Sequence, residues 1–197
     1  MKKLLSLFLL LSCLLGPVSA EDGSRLWLRQ STDAHAQITA PRQSPTLNIA
    51  VRELKQAWKG LPVTLVLKKD KQLSSEGFRI RQVNGKLTVT SPSETGLLYA
   101  AYHLIRLQEM QNFGKPSETD QEITENPAYD LRILNHWDNL DRSIERGYAG
   151  KSLWNWEELP GTLSDRYEAY ARANASIGIN ATVLLLLKSF PPNIWKR

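Results

Sequence analysis

Apolar residues recur at helical spacing from Leu47 to Trp58. Leu47, Val51, Leu54 and Trp58 fall on one face, and Gly60 follows as a stop signal, so LNIAVRELKQAW predicts an amphipathic helix. Pro62 to Leu67 then reads as a strand. Phe78–Gln82 and Lys86–Thr90 alternate around Asn84-Gly85, a dipeptide that tolerates the positive φ values of a two-residue turn, and predict a hairpin. Beyond Ser91-Pro92-Ser93-Glu94, the spacing of Leu97, Leu98, Ala101, His103, Leu104 and Leu107 predicts a second amphipathic helix over Thr95–Met110. Together these elements make a small two-layer α/β unit.

Gln111–Asn126 is polar, with Gly114 and Pro116, and reads as a linker or exposed connection. After Pro127 the pattern changes. Leu131–Leu134 fits a buried strand, with Asn135 onward as its C-terminal loop. Ser164–Ser176 fits a helix with Ser164 as N-cap, and Ile177–Leu187 a second strand. Strand, long loop, helix and strand is the order in which a (β/α)8 TIM barrel begins. Such barrels build their active sites from loops at the C-terminal strand ends. The expected organisation is therefore a leader over 1–20, an N-terminal α/β domain with linker over 21–126, the incomplete start of a barrel over 127–187, and a separate tail over 188–197.

The leader has the layout of a secretory signal peptide: Lys2 and Lys3, an apolar run from Leu4 to Leu15, and the small residues Val18-Ser19-Ala20 at the cleavage site. The apolar run is too short to span a bilayer. Export to the periplasm or medium is expected, with no membrane contact after cleavage. Cys13 is the only cysteine and lies inside the leader, so the mature chain is expected to lack disulfides. Loss of Lys2 and Lys3 takes the formal net charge from +5 to +3, spread among interspersed acids, which leaves no nucleic-acid footprint.

The candidate chemistry lies in Asn135–Trp156, NHWDNLDRSIERGYAGKSLWNW. Here Trp137, Trp154 and Trp156 sit beside His136, Asp138, Asp141, Glu145 and Arg146, with Gly147 and Gly150 between them and no regular period. Indole faces beside planar hydrogen-bonding groups suit a sugar, whose C–H face stacks while its hydroxyls need fixed partners. An ordinary loop with its tryptophans in the core accounts for the same composition. His103, near an apolar stripe with no second ligand spaced for it, reads as a partly buried structural histidine, and His35 carries little information. Glu157 and Glu158 are sequence neighbours expected to point apart at the surface. No metal site and no cofactor is expected.

LRILNHWDNLD, SIERGYAGKSLWNW and RYEAYARANASIGIN, followed by ATVL, resemble the α-glucuronidases of glycoside hydrolase family 67 from Asp130 onward, and more weakly before Asn126. The resemblance implies an N-terminal domain like that of β-hexosaminidases, followed by a catalytic barrel. It also implies removal of (4-O-methyl)-glucuronic acid from xylo-oligosaccharides by inverting hydrolysis. The substrate contacts implied are Trp137 as a stacking platform, Asp138 and Asn139 as hydroxyl partners, Glu145 as an acceptor, and Arg146 as a bidentate partner for the uronate. Arg146 fits equally as an ion-pair partner of Asp138 or Asp141.

The resemblance ends at Leu184, where the family carries an Asn-rich word similar to VLNNVNA, and a truncated or frameshifted C-terminus is expected. Inverting hydrolysis needs an acid and a base about 6.5–9.5 Å apart. In the family both come from later barrel strands, so no catalytic residue is assigned and this chain is expected to be an inactive fragment. A stand-alone carbohydrate-binding or interaction module is the alternative.

Overall fold

The computed structural model describes residue 28 and residues 36–110, 120–148 and 150–186. The expected leader, His35, the tail over 188–197 and residues 111–119 of the polar connection lie outside the described residues.

Strand β1 (Ile38–Thr39) leads into helix α1 (Pro45–Ala57), whose N-cap Ser44 accepts a hydrogen bond from the Leu47 amide with Pro45 in the first turn. The helix buries Leu47, Ala50, Leu54 and Ala57, and Trp58 follows fully buried, its indole N–H donating to the Leu61 carbonyl at 2.8 Å. Strand β2 (Val63–Leu67) and the hairpin β3 (Phe78–Val83) and β4 (Lys86–Ser91) follow as expected. Asn84 and Gly85 take φ of 48° and 70°, so both turn residues sit in the left-handed region that the hairpin requires. Helix α2 (Glu94–Glu109) is capped by Ser93. Its Gly96 lies so near β4 that a Cβ there would stand 2.1 Å from Ser91 Oγ, which is itself held by donation to the Gly77 carbonyl.

Part of the polar connection is a strand rather than a linker. β5 (Gln121–Glu125) pairs antiparallel with β3 and completes a five-stranded mixed sheet of order β1-β2-β4-β3-β5. Only Ile123 of QEITE meets the core, opposite Ile80, while Glu122 on the outer face pairs with Arg79 and Arg81. An edge strand with one core contact and a charged outer face carries little hydrophobic signal, which is why composition suggested a loop. The inward row Leu65, Val89, Ile80, Ile123 runs across the sheet beneath α1 and α2. Burying each such aliphatic side chain stabilises by about 1.5–3 kcal/mol.

Strand β6 (Ile133–Asp138), helix α3 (Asp165–Ser176) and strand β7 (Ala181–Leu186) form a parallel strand–helix–strand unit. Ser164 caps α3 as expected, accepting from the Arg166 amide. Two expectations are corrected here. The strand runs on through Asn135–Asp138, which had been placed in the loop, and Leu131, Ile133 and Leu134 are exposed rather than buried. A two-stranded sheet with a helix on one face leaves its other face open. The second strand begins at Ala181 because Gly178, at φ 78°, and Asn180 form the turn leaving α3.

Two charged clamps join this unit to the first. Arg172 of α3 donates to both Glu53 carboxylate oxygens, at 3.0 and 2.7 Å, and lies over the Tyr102 ring. Burial, then the Glu53 charge, pushes the Tyr102 phenol well above its ordinary value. Arg132, just before β6, pairs with Glu76 at 2.5 Å and donates to the Gly178 carbonyl, while Asn180 ties Glu76 to the Asp130 carbonyl.

Candidate functional site

The alternation of β6 sorts its side chains onto two faces. His136 and Asp138 face α3, where His136 Nε2 meets the Tyr170 hydroxyl at 2.5 Å. Trp137 points the other way and is 48% exposed. The strand then turns into the loop Asn139–Trp156, folded by two isolated bridges, Asp138 with Ile144 and Ser143 with Lys151. The Glu145 amide donates to the Trp137 carbonyl at 2.7 Å, which brings Glu145 and Arg146 alongside the end of β6.

Asp138 and Asn139 serve the loop itself. Asp138 is 2% exposed, accepts from Ser152 Oγ at 2.8 Å, and lies 3.8 Å from His136 Nδ1. Ser152 Oγ in turn accepts from the Trp154 amide, so the buried carboxylate fixes where Trp154 begins. The Asn139 amide donates to Ser143 O, Ser143 Oγ and Glu145 O, holding the turn closed. Neither polar group is presented to solvent for a ligand hydroxyl.

Glu145 accepts from the Tyr148 hydroxyl, and that bond together with the Glu145 charge raises the Tyr148 phenol above its ordinary value. Arg146 is exposed, and Asp138 is not its partner. Arg142 and Glu145 take φ of 67° and 50°, a left-handed conformation that non-glycine residues rarely adopt and that costs stability at each position. Five buried polar atoms of this loop find no hydrogen-bond partner: Asn139 Oδ1, Arg142 Nε, Trp154 Nε1, Asn155 Oδ1 and Trp156 Nε1. Unpaired buried groups are costly, so the loop carries a stability cost at each of these positions.

Sequence reasoning about the loop did not single out the contribution of α3. Tyr167 stacks on Trp154 with ring centroids 5.0 Å apart and an interplanar angle of 18°, and Tyr170 meets Trp154 edge-on at 5.5 Å. Their i, i+3 spacing was the available signal. Glu157 and Glu158 are exposed. Among the described residues, no group of three His, Cys, Asp or Glu side chains is placed to hold a metal ion.

The two-layer mixed sheet followed by a parallel strand–helix–strand unit places the chain among α/β proteins. Its fold is shared with the solved structure of a GH138 enzyme targeting pectin rhamnogalacturonan II, at TM-score 0.53 and 18% identity over 77% of this chain and 19% of that one. Residues 112–188 match the glycosyl hydrolase family 67 middle domain. The chain is 31% identical over 89% of its length to α-glucuronidase A of Aspergillus tubingensis. It is likewise 31% identical over 91% of its length to a probable α-glucuronidase A of Aspergillus niger. It belongs to glycoside hydrolase family 67, as an α-glucuronidase-like sequence, and spans about 25% of the length of these curated relatives.

Proposed function

We propose that this chain carries the sugar-recognition edge of an exported α-glucuronidase acting on xylo-oligosaccharides substituted with (4-O-methyl)-glucuronic acid. In this reading β6, α3 and β7 open a (β/α)8 barrel after a non-catalytic N-terminal domain ending near Asn126, and the loop Asn139–Trp156 lies at the active-site end of the barrel. The observation that carries it is the half-exposed indole of Trp137 beside Glu145 and Arg146 at the C-terminal end of a parallel strand. Trp137 stacks on the sugar, Glu145 accepts from a hydroxyl, and Arg146 meets the uronate carboxylate with its guanidinium. Asp138 and Asn139 shape the loop that presents them.

The acids in and around this loop offer no general acid and base facing one cleft. Asp138 is buried against Ser152, Glu145 is engaged by Tyr148, and Glu157 and Glu158 are at the surface. This segment therefore contributes recognition and not the inverting acid–base pair, and alone it does not hydrolyse the glycosidic bond.

Calorimetric titration with aldobiouronic acid tests the recognition half, and an assay on 4-O-methyl-glucuronosyl xylotriose tests the chemical half. Trp137→Ala is expected to weaken binding by about 1 kcal/mol, with thermal stability little changed because the ring is half in solvent. Unchanged affinity with a large fall in melting temperature would assign Trp137 to the core. Release of free uronic acid by the purified chain would refute the separation of recognition from chemistry.

A further inference from the structure

His136 has no role in the reading above, yet it stands where β6, α3 and the loop meet. Its Nδ1 lies 3.8 Å from the buried Asp138 carboxylate, its Nε2 meets the Tyr170 hydroxyl at 2.5 Å, and Trp154 stands edge-on to the ring with centroids 5.8 Å apart. The chain of contacts runs on at both ends. Asp138 accepts from Ser152 Oγ at 2.8 Å and Ser152 Oγ from the Trp154 amide, while the Tyr170 hydroxyl lies 3.5 Å from Thr182 Oγ1. The Asn155 amide adds a bond to the Tyr167 hydroxyl at 2.8 Å. The returning arm of the loop, Ser152–Asn155, is thereby fastened to β6 and α3, as the outgoing arm is fastened where the Glu145 amide meets the Trp137 carbonyl.

We infer that His136 is a positioning residue for the loop Asn139–Trp156, acting through Asp138, and that its protonated form holds the loop more firmly than its neutral form. The Asp138 side chain is 3% exposed and is met by a neutral hydroxyl, Ser152 Oγ, so an imidazolium 3.8 Å away supplies a counter-charge that the neutral ring does not. The added proton breaks no contact. With the ring neutral, Tyr170 donates to Nε2 and Nδ1–H faces Asp138; with a proton taken from solvent, Nε2–H donates to the Tyr170 oxygen and the phenolic proton turns to Thr182 Oγ1. The titratable neighbours are Asp138 on β6 and Tyr167 and Tyr170 on α3. β7 pairs Leu184 with His136, Glu168 and Arg172 of α3 turn to the N-terminal unit, and Arg142, the cation tied to the returning arm, donates to the Ser152 carbonyl. That this clasp sets the affinity for a sugar rests on the recognition reading above; the fastening of the loop does not.

The test is amide hydrogen exchange on the whole chain at about pH 8 and about pH 5, the interval in which histidine ordinarily changes charge, corrected for the intrinsic pH dependence of exchange. Protection of the Trp154 and Asn155 amides should rise about threefold to tenfold at the lower pH, the difference between a neutral and a charge-assisted contact. His103 works in the opposite sense, since burial disfavours its charged form and its protonation lowers protection. His136→Gln keeps an amide toward Tyr170 without a titrating charge and should abolish the response. Circular dichroism reports folding, and Asp138→Asn, which leaves the ring without its acid, carries the same expectation where His136→Gln does not fold. Titration of the parent with aldobiouronic acid should show affinity rising about threefold over the same pH step, and no rise in His136→Gln.

Protection that is unchanged or lower at pH 5, or a rise that survives in His136→Gln, overturns the proposal. So does aldobiouronic acid binding with the same affinity at both pH values. Failure of aldobiouronic acid to bind at either pH, with the exchange response present in the parent and lost in His136→Gln, removes the recognition reading alone and leaves the clasp standing.

Discussion

Removing the Arg172 guanidinium should cost far more than neutralising its partner. Glu53 is 3% exposed at its side chain and Arg172 is 20% exposed, so the acid is the trapped member of the pair. In Arg172→Ala the carboxylate loses donors at 3.0 and 2.7 Å and remains in the core, left with the Tyr102 hydroxyl and with Arg52, 3.9 Å away and half in solvent. Breaking one side of a buried pair in this way costs about 3–5 kcal/mol.

Glu53→Gln keeps an acceptor and frees an arginine that can turn toward water, so its cost should be about 1–2 kcal/mol. Glu53→Leu with Arg172→Met removes both charges and should fall within about 1 kcal/mol of the parent. Urea unfolding, followed by tryptophan fluorescence and circular dichroism and analysed as a double-mutant cycle, reads all three values. Equal costs for the two single variants, or a cost below about 1 kcal/mol for Arg172→Ala, would falsify the trapped-acid argument and leave α3 held by packing and by its other polar ties, such as Arg106 to the Ser176 carbonyl.

Gly96→Ala should destabilise by about 1–3 kcal/mol, because the added Cβ meets the pinned Ser91 Oγ and the Gly77 carbonyl; a change within error in urea melts would mean that α2 shifts freely on β4. Gly85→Ala meets no atom and suffers only its φ of 70°, so its cost should be smaller, about 1 kcal/mol, measured in the same melts. Burial holds the His103 imidazole below its ordinary value, so the unfolded chain binds the proton more readily. Stability contributed by neutral His103 is complete above about pH 7, begins to fall as pH drops through about 6.5, the unfolded value, and goes on falling until the lower folded value is passed. His103→Phe should flatten that part of the stability profile, and an unaltered slope would remove His103 as its source.

The N-terminal half was legible because helix and hairpin patterns there coincide with burial. Leu47 and Leu54 are fully buried, and Asn84-Gly85 adopts the turn its composition demands. β5 was hidden because it enters the sheet through backbone pairing, with Ile123 its one apolar residue on the inward side, between Gln121 and Glu125. The strand reading at Leu131–Leu134 located β6 but stopped short, since His136, Trp137 and Asp138 look like loop chemistry while having strand geometry. Trp137, Glu145 and Arg146 could be gathered from one segment of sequence. The burial of Asp138 and Asn139 could not, because it depends on Ser152 and Ser143 folding back over them.

Because the Glu53–Arg172 and Glu76–Arg132 clamps span more than fifty positions of sequence, chain segments and cooperative units need not share a border near residue 126. Amide protons in the middle of α3 should exchange with solvent together with those of α1, as one protected unit, while the loop Asn139–Trp156 opens independently at lower free energy. Excising residues 36–126 as a separate protein would strand the Glu53 carboxylate in the core. An autonomous version of that half therefore requires either α3 to be retained or Glu53 to be replaced by an apolar residue.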